Sequence, residues 1–145
     1  MFKHTMAAAL MVAAGLTVVS AQPKKTGGAN SVTYDVTINA DGAAHTGRMV
    51  LAVNGPKVTG KMHITSPGEI TGNAAGSMKA GVMTLDFPYH MVQRNCDGQI
   101  AMNIRLTPKL PASNGTVEIV GCGRDASNKL AGTIELKPVA AQKKQ

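Results

Sequence analysis

The stretch VTGKMHIT, Val58 to Thr65, alternates apolar or small residues (Val58, Gly60, Met62, Ile64) with polar ones (Thr59, Lys61, His63, Thr65). A period of two is what a strand with one buried face requires, because successive side chains leave opposite sides of an extended backbone. Related units recur: TGRMVL (46–51), TGKMHI (59–64), AGVMTL (80–85), DGQIAM (97–102), NGTVEI (114–119) and AGTIEL (131–136). In each, apolar residues follow two and four places after a glycine, and Gly81, Gly98, Gly115 and Gly132 are each 17 apart. Repetition of one strand-sized unit fixes the class as all-β.

Working outward, the same alternation precedes the first unit, with Val32, Tyr34, Val36 and Ile38 set against Thr33, Asp35 and Thr37. The apolar face continues through Met49, Leu51, Val53; Met83, Leu85, Phe87, Tyr89; Ile100, Met102, Ile104, Leu106; Val117, Ile119; and Ile134, Leu136. The polar face carries Arg48, Lys61, His63, Asp86, Arg105, Glu118 and Glu135. The glycine of each unit falls on the inward face near the strand start, where a missing side chain permits sharp coiling or close approach of another backbone. Turn residues separate the runs: Asp41-Gly42, Asn54-Gly55-Pro56, Ser66-Pro67-Gly68, Asn95-Cys96-Asp97-Gly98, Pro108 to Asn114 and Asp125 to Asn128. Glu69 to Lys79 is rich in small residues and is a weaker strand that completes the sheet. The expectation is about eight short antiparallel strands in a meander.

Three architectures satisfy this pattern. An eight-stranded up-and-down barrel closes its own edges and leaves an interior wide enough for side chains or one small ligand. A β-sandwich is one alternative. A β-solenoid is the other, since VTGKMHITSPGEITG (58–72) resembles the Gly-punctuated rungs of bactofilin-like parallel helices. Cys96 and Cys122 favour the barrel: their separation of 26 is not a multiple of 17, so stacked rungs would set them apart. In a meander they reach the same rim.

The first residues bear on compartment. Lys3 and His4 precede an almost wholly apolar run from Met6 to Val19, and Val19-Ser20-Ala21 supplies small residues where a signal peptidase cleaves. Residues 1–21 read as a cleaved secretory signal, with a mature start at Gln22 in a periplasmic or extracellular location. The apolar run is too short to span a bilayer, and no other stretch is long enough. Residues 22–30 and the basic 138–145 read as mobile tails, leaving 31–137 as a single domain. Outside the cytoplasm, Cys96 and Cys122 are expected to form one disulfide.

Composition narrows the function. The formal net charge is +7, but Lys24, Lys25, Lys143 and Lys144 lie in the tails and the other basic residues are scattered singly, so no nucleic-acid stripe forms. With Trp 0, Tyr 2 and Phe 2, stacking platforms for single-stranded nucleic acid are nearly absent. His90, Arg94 and Asp97 form the densest chemical cluster, yet His90, Asp86 and Glu118 have outward parity and no nucleophile is placed beside them, so no catalytic residue is expected. The methionines suggest soft-metal chemistry. Met62-His63 and His90-Met91 are adjacent pairs, however, and adjacent strand residues face opposite ways. Adaptable core filler is the simpler role, no cofactor is expected, and His45, His63 and His90 are read as exposed.

The Val-Thr-Gly segment at 58–60 and LAGTIEL (130–136) resemble small secreted bacterial β-barrel domains of the lipocalin-like, calycin-type kind, over residues 32–137. The resemblance implies a barrel with a cavity for an apolar ligand or an exterior used for protein contact, and it transfers no catalytic residue. The leading expectation is therefore a non-enzymatic binding module for a small apolar ligand, lined by Tyr34, Met49, Met62, Met83, Phe87, Tyr89 and Met102. An envelope-associated interaction protein with a filled core is the alternative, and a copper-handling protein follows.

Overall fold

The computed structural model describes residues 31–107, 109 and 112–140; the segments read above as a leader (1–21) and an N-terminal tail (22–30), and residues 141–145 of the expected C-terminal tail, lie outside them. Within these residues eight strands follow one another: β1 (Ser31–Ala40), β2 (Ala43–Asn54), β3 (Lys57–Ser66), β4 (Ile70–Lys79), β5 (Val82–Met91), β6 (Cys96–Arg105), β7 (Ser113–Gly121) and β8 (Leu130–Pro138). Each pairs antiparallel with its neighbour in sequence, and β8 returns to β1 to close the barrel. Closure leaves no exposed sheet edge, which excludes the solenoid and the sandwich. The weak segment is a full strand, β4, whose Ile70 and Ala74 are buried. Pairing extends past residue 137: Pro138 lies opposite Tyr34, and the Val139 N–H donates to the Thr33 carbonyl at 2.9 Å.

The period of two becomes an inside and an outside. On β5, Met83, Leu85, Phe87 and Tyr89 are buried while Thr84, Asp86, Pro88 and His90 are exposed. The outward residues of β3, Thr59, Lys61, His63 and Thr65, are exposed and polar, unlike the apolar band of a lipid-facing barrel. No helix among the described residues is long and apolar enough to cross a membrane.

Three details of the face assignment change. Val32 and Val53 are 39% and 36% exposed, because each lies at the outermost end of its strand, beyond the residues that meet across the interior. Gly81 lies in the β4–β5 turn with φ +76 rather than on an inward face, since the strand begins only at Val82. His45 shares the inward parity of Gly47 and Met49 and is half-buried, not exposed.

The strand ends fall into two rims. One rim gathers the turns β1–β2, β3–β4, β5–β6 and β7–β8; the other gathers the turns β2–β3, β4–β5 and β6–β7, with the ends of β1 and β8. Between the barrel's middle and this second rim the interior is filled. Met49, Met62, Met83, Leu85, Phe87, Met102 and Ile104 are essentially inaccessible, and Tyr34, Met78 and Leu106 pack against them from the end. Thr107 anchors the loop that follows β6: its N–H donates to Ser113 Oγ (3.0 Å) and its hydroxyl donates to the Ala112 carbonyl (2.8 Å).

Candidate functional site

The first rim is built differently. Gly98 on β6 is the register partner of both Tyr89 on β5 and Gly121 on β7. A Cβ on Gly98 would collide with the Tyr89 ring, and would come within 2.6 Å of the Val120 carbonyl oxygen. The missing Cβ of Gly98 thus makes the room in which the Tyr89 ring lies across β6.

A cavity of about 360 Å³ opens at this rim. Its deeper wall is apolar, with Ile38, Ile64, Ile70, Ile100, Ile119 and Leu130. Its mouth carries Asp41, His45, Gln93, Arg94 and Arg124. That volume lies in the lower part of the range for small-molecule sites, roughly 300 to 1,000 Å³. A largely apolar lining with a few convergent polar groups is the usual makeup of such a site.

Local structure holds the mouth in place. Cys96, the first residue of β6, is disulfide-bonded to Cys122, just past β7, with a Cα–Cα distance of 5.2 Å. The Cys122 N–H donates to the Asp97 carbonyl at 3.1 Å, extending the β6–β7 ladder to the bridge. The 3-10 turn Val92–Arg94 folds toward the β3–β4 turn, where the Glu69 N–H donates to Gln93 Oε1 at 3.1 Å. Arg124 Nη2 donates to Asp41 Oδ2 at 3.4 Å, linking the β7–β8 and β1–β2 turns. Beyond Arg124, the Ser127 hydroxyl and N–H and the Asn128 N–H all donate to the Asp125 carboxylate, which holds it below the usual carboxylate range.

The electrostatics of the mouth are positive. Burial pushes the Tyr89 phenol above its ordinary value, and the charges of Arg124 and then Arg94 pull it part of the way back. Asp41 is the one carboxylate on the wall, and it is engaged with Arg124. Among the described residues Arg94 forms no ion pair.

Of the seven residues expected to line a ligand site, Tyr89 is on the cavity wall. Met49, Met62, Met83, Phe87 and Met102 are packed into the filled half, and Tyr34 lies toward the second rim. Inward parity, the only signal used for them, distinguishes inside from outside but not one end of the interior from the other. The cluster His90, Arg94 and Asp97 is split. His90 Nδ1 and Asp97 Oδ1 are 2.9 Å apart as a cross-strand pair on the outer surface, whereas Arg94 turns to the cavity. Met62 is buried while His63 is exposed and contacts Glu69 at 3.0 Å, so this adjacent pair does face opposite sides.

Sequence reasoning missed His45, Gln93 and Arg124. A signal for His45 was present, since it occupies an inward position two residues before Gly47 and four before Met49. Arg124 lies in a loop, where parity says nothing. An eight-stranded closed antiparallel barrel is consistent with a lipocalin-like barrel. Compared with protein-family models, with curated proteins and with solved structures, the chain matches none.

Proposed function

We propose that this protein is a non-enzymatic binding module that takes one small, largely apolar molecule at the first rim of its barrel, in an oxidising location outside the cytoplasm. The observation that carries the reading is the contrast within one interior: a space of about 360 Å³ with isoleucine and leucine on its wall opens at one end, while Met49, Met83, Leu85, Phe87 and Ile104 fill the other. Packing contacts and burial both favour filling such a space, and the partly buried Ile119 and Leu130 on its wall forgo part of them. The disulfide is compatible with periplasmic or extracellular residence, which the leader-like residues 1–21 also suggest.

The reading of the barrel as an envelope-associated interaction protein draws on an outer groove across β2, β3 and β4 that includes Arg48, Lys61 and His63. Arg48 already contacts Asp35 at 3.3 Å and His63 contacts Glu69 at 3.0 Å, so only Lys61 offers an uncompensated charge there among the described residues. The groove is accordingly the weaker basis. Copper handling finds less support still, because the thioethers of Met49, Met62, Met83 and Met102 are sealed in the filled half.

Native mass spectrometry of protein recovered gently from its producing cell tests the binding reading. The expected result is a chain beginning at Gln22, lighter by two hydrogens for the disulfide, with an apolar adduct lost on mild activation. A bare chain that also shows no methyl shifts at Ile100, Ile119 or Leu130 on NMR titration with short-chain alcohols and esters would overturn it.

A further inference from the structure

The second rim ends the barrel in an apolar centre with a cationic edge. Its middle is formed by residues of inward parity that run out past the filled interior: Val32 and Val53, 39% and 36% exposed, beside the half-buried Tyr34, Met78 and Leu106. At its edge stand Lys57, the first residue of β3, Lys79, the last of β4, and Arg105, the last of β6, with Lys109 in the loop that follows. All four cations are exposed, and among the described residues none forms an ion pair. Lys79 and Arg105 lie opposite Val82 on its two sides, which sets their backbones about 10 Å apart, and Lys57 lies opposite Ser77, two residues before Lys79. Charges at that spacing reinforce one another, since screening at physiological salt has a length of about 8 Å. The turns that carry them are tied together: the Met78 N–H donates to the Pro56 carbonyl at 2.8 Å, and the Leu106 N–H to the Gly81 carbonyl at 2.9 Å.

No carboxylate balances this edge, and all eight acidic residues of the chain are among the described ones. Asp41, Glu69, Asp97 and Asp125 lie at or beside the turns of the first rim, and Glu118 on the outer wall contacts Lys129 at 2.8 Å. The three acids nearest the second rim, Asp35, Asp86 and Glu135, stand in the body of their strands. Arg48 engages Asp35 at 3.3 Å and Lys137 engages Glu135 at 2.9 Å, while Asp86 accepts from the Gln99 amide at 3.4 Å. In sequence, Lys24 and Lys25 precede the entry into β1 and Lys143 and Lys144 follow the exit from β8, both of which are at this rim. Like charge opposes the pairing of two such ends, and no aromatic ring is exposed there among the described residues as a stacking surface for nucleic-acid bases. A bilayer with anionic headgroups complements both features, because basic residues are attracted to its surface and exposed apolar side chains enter its interfacial zone. We infer that the second rim docks the barrel on an anionic lipid bilayer, with Val32 and Val53 at headgroup level and Lys57, Lys79, Arg105 and Lys109 against lipid phosphates. Docked by this end, the barrel turns the cavity mouth away from the bilayer. Docking of this kind is independent of whether the cavity holds a ligand.

Flotation of the disulfide-bonded protein with lipid vesicles provides the test. Vesicles of phosphatidylcholine and phosphatidylglycerol in equal parts should bind it, less so as salt rises, and vesicles of phosphatidylcholine alone should not. Lys79→Gln with Arg105→Gln should weaken binding about 25-fold, at roughly fivefold for each charge. Lys61→Gln with Arg94→Gln removes the same charge from the outer wall and the first rim, beyond the screening length of the docked end, and should change binding less than about threefold. Val32→Asn with Val53→Asn should weaken vesicle binding severalfold yet leave binding of polyglutamate unchanged. With a spin-labelled lipid in the vesicles, amide broadening should centre on residues 53–57, 79–82 and 105–107 and spare 67–69 and 93–97. Equal losses from the two charge pairs, or broadening centred on the first rim, would overturn the inference. Tighter binding to polyglutamate or to a DNA duplex than to vesicles of equal negative charge would also overturn it, assigning the cationic end to a protein or nucleic-acid partner.

Discussion

The two halves of this barrel share strands, register and alternation, yet they are held together by different means. Toward the second rim, cohesion comes from side chains: Met49, Met83, Leu85, Phe87 and Ile104 are fully buried against one another. Toward the first rim, the paired positions Gly98 and Gly121 contribute no side chains, and the wall is secured by the Cys96–Cys122 bridge, the Glu69–Gln93 hydrogen bond and the Arg124–Asp41 link. A cavity and a packed core cannot occupy the same volume. The chain separates them along the barrel axis, placing stability at one end and the candidate site at the other.

This division predicts unequal responses to similar truncations. The largest effect is expected in the filled half, where Leu85→Ala should lower unfolding free energy by about 2–5 kcal/mol, because the void is enclosed on every side. Urea denaturation measures it directly.

Removing the bridge comes next. In the chain-entropy account, a disulfide enclosing a loop of this length contributes on the order of 3 kcal/mol, so the double variant Cys96→Ser with Cys122→Ser should lose about that much. Hydrogen exchange sharpens the comparison: protection should fall first at residues 97–100 and 119–121, while 83–87 stay protected. Uniform loss of protection along β5 and β6 would break the two-halves description.

The smallest effect is expected on the cavity wall. Ile119 is only partly buried, so Ile119→Ala should cost about 1 kcal/mol, well short of Leu85→Ala. It should still exceed Lys61→Ala on the exterior, expected within about 0.5 kcal/mol. Equal costs for Leu85 and Ile119 would mean that the first half is as densely packed as the second.

Much of this was legible in the sequence because alternation is a local property. Every strand announces itself through residues two apart, and the meander follows from turns such as Asp41-Gly42, where both residues take positive φ (54° and 72°) as a tight hairpin asks. Even β4, with Gly72, Ala74 and Gly76 inward, kept its period, although small residues make a faint signal. The disulfide was also legible, since strand order brings Cys96 and Cys122 to one rim once the sheet is a meander.

The position of the cavity was not local. Met102 and Ile100 are two residues apart on the same face of β6 and equally buried, yet Ile100 borders the cavity and Met102 does not. Their difference depends on which side chains arrive from the other strands of the barrel, which no window of sequence contains. By itself the sequence determined the strands, their two faces, the turns and the bridge, because backbone sterics and side-chain parity act over a few residues. Only the tertiary structure decided which end of the interior is filled, and that Arg94 and Arg124 share the mouth of the cavity there with His45, because volume and charge are summed over strands distant in the chain.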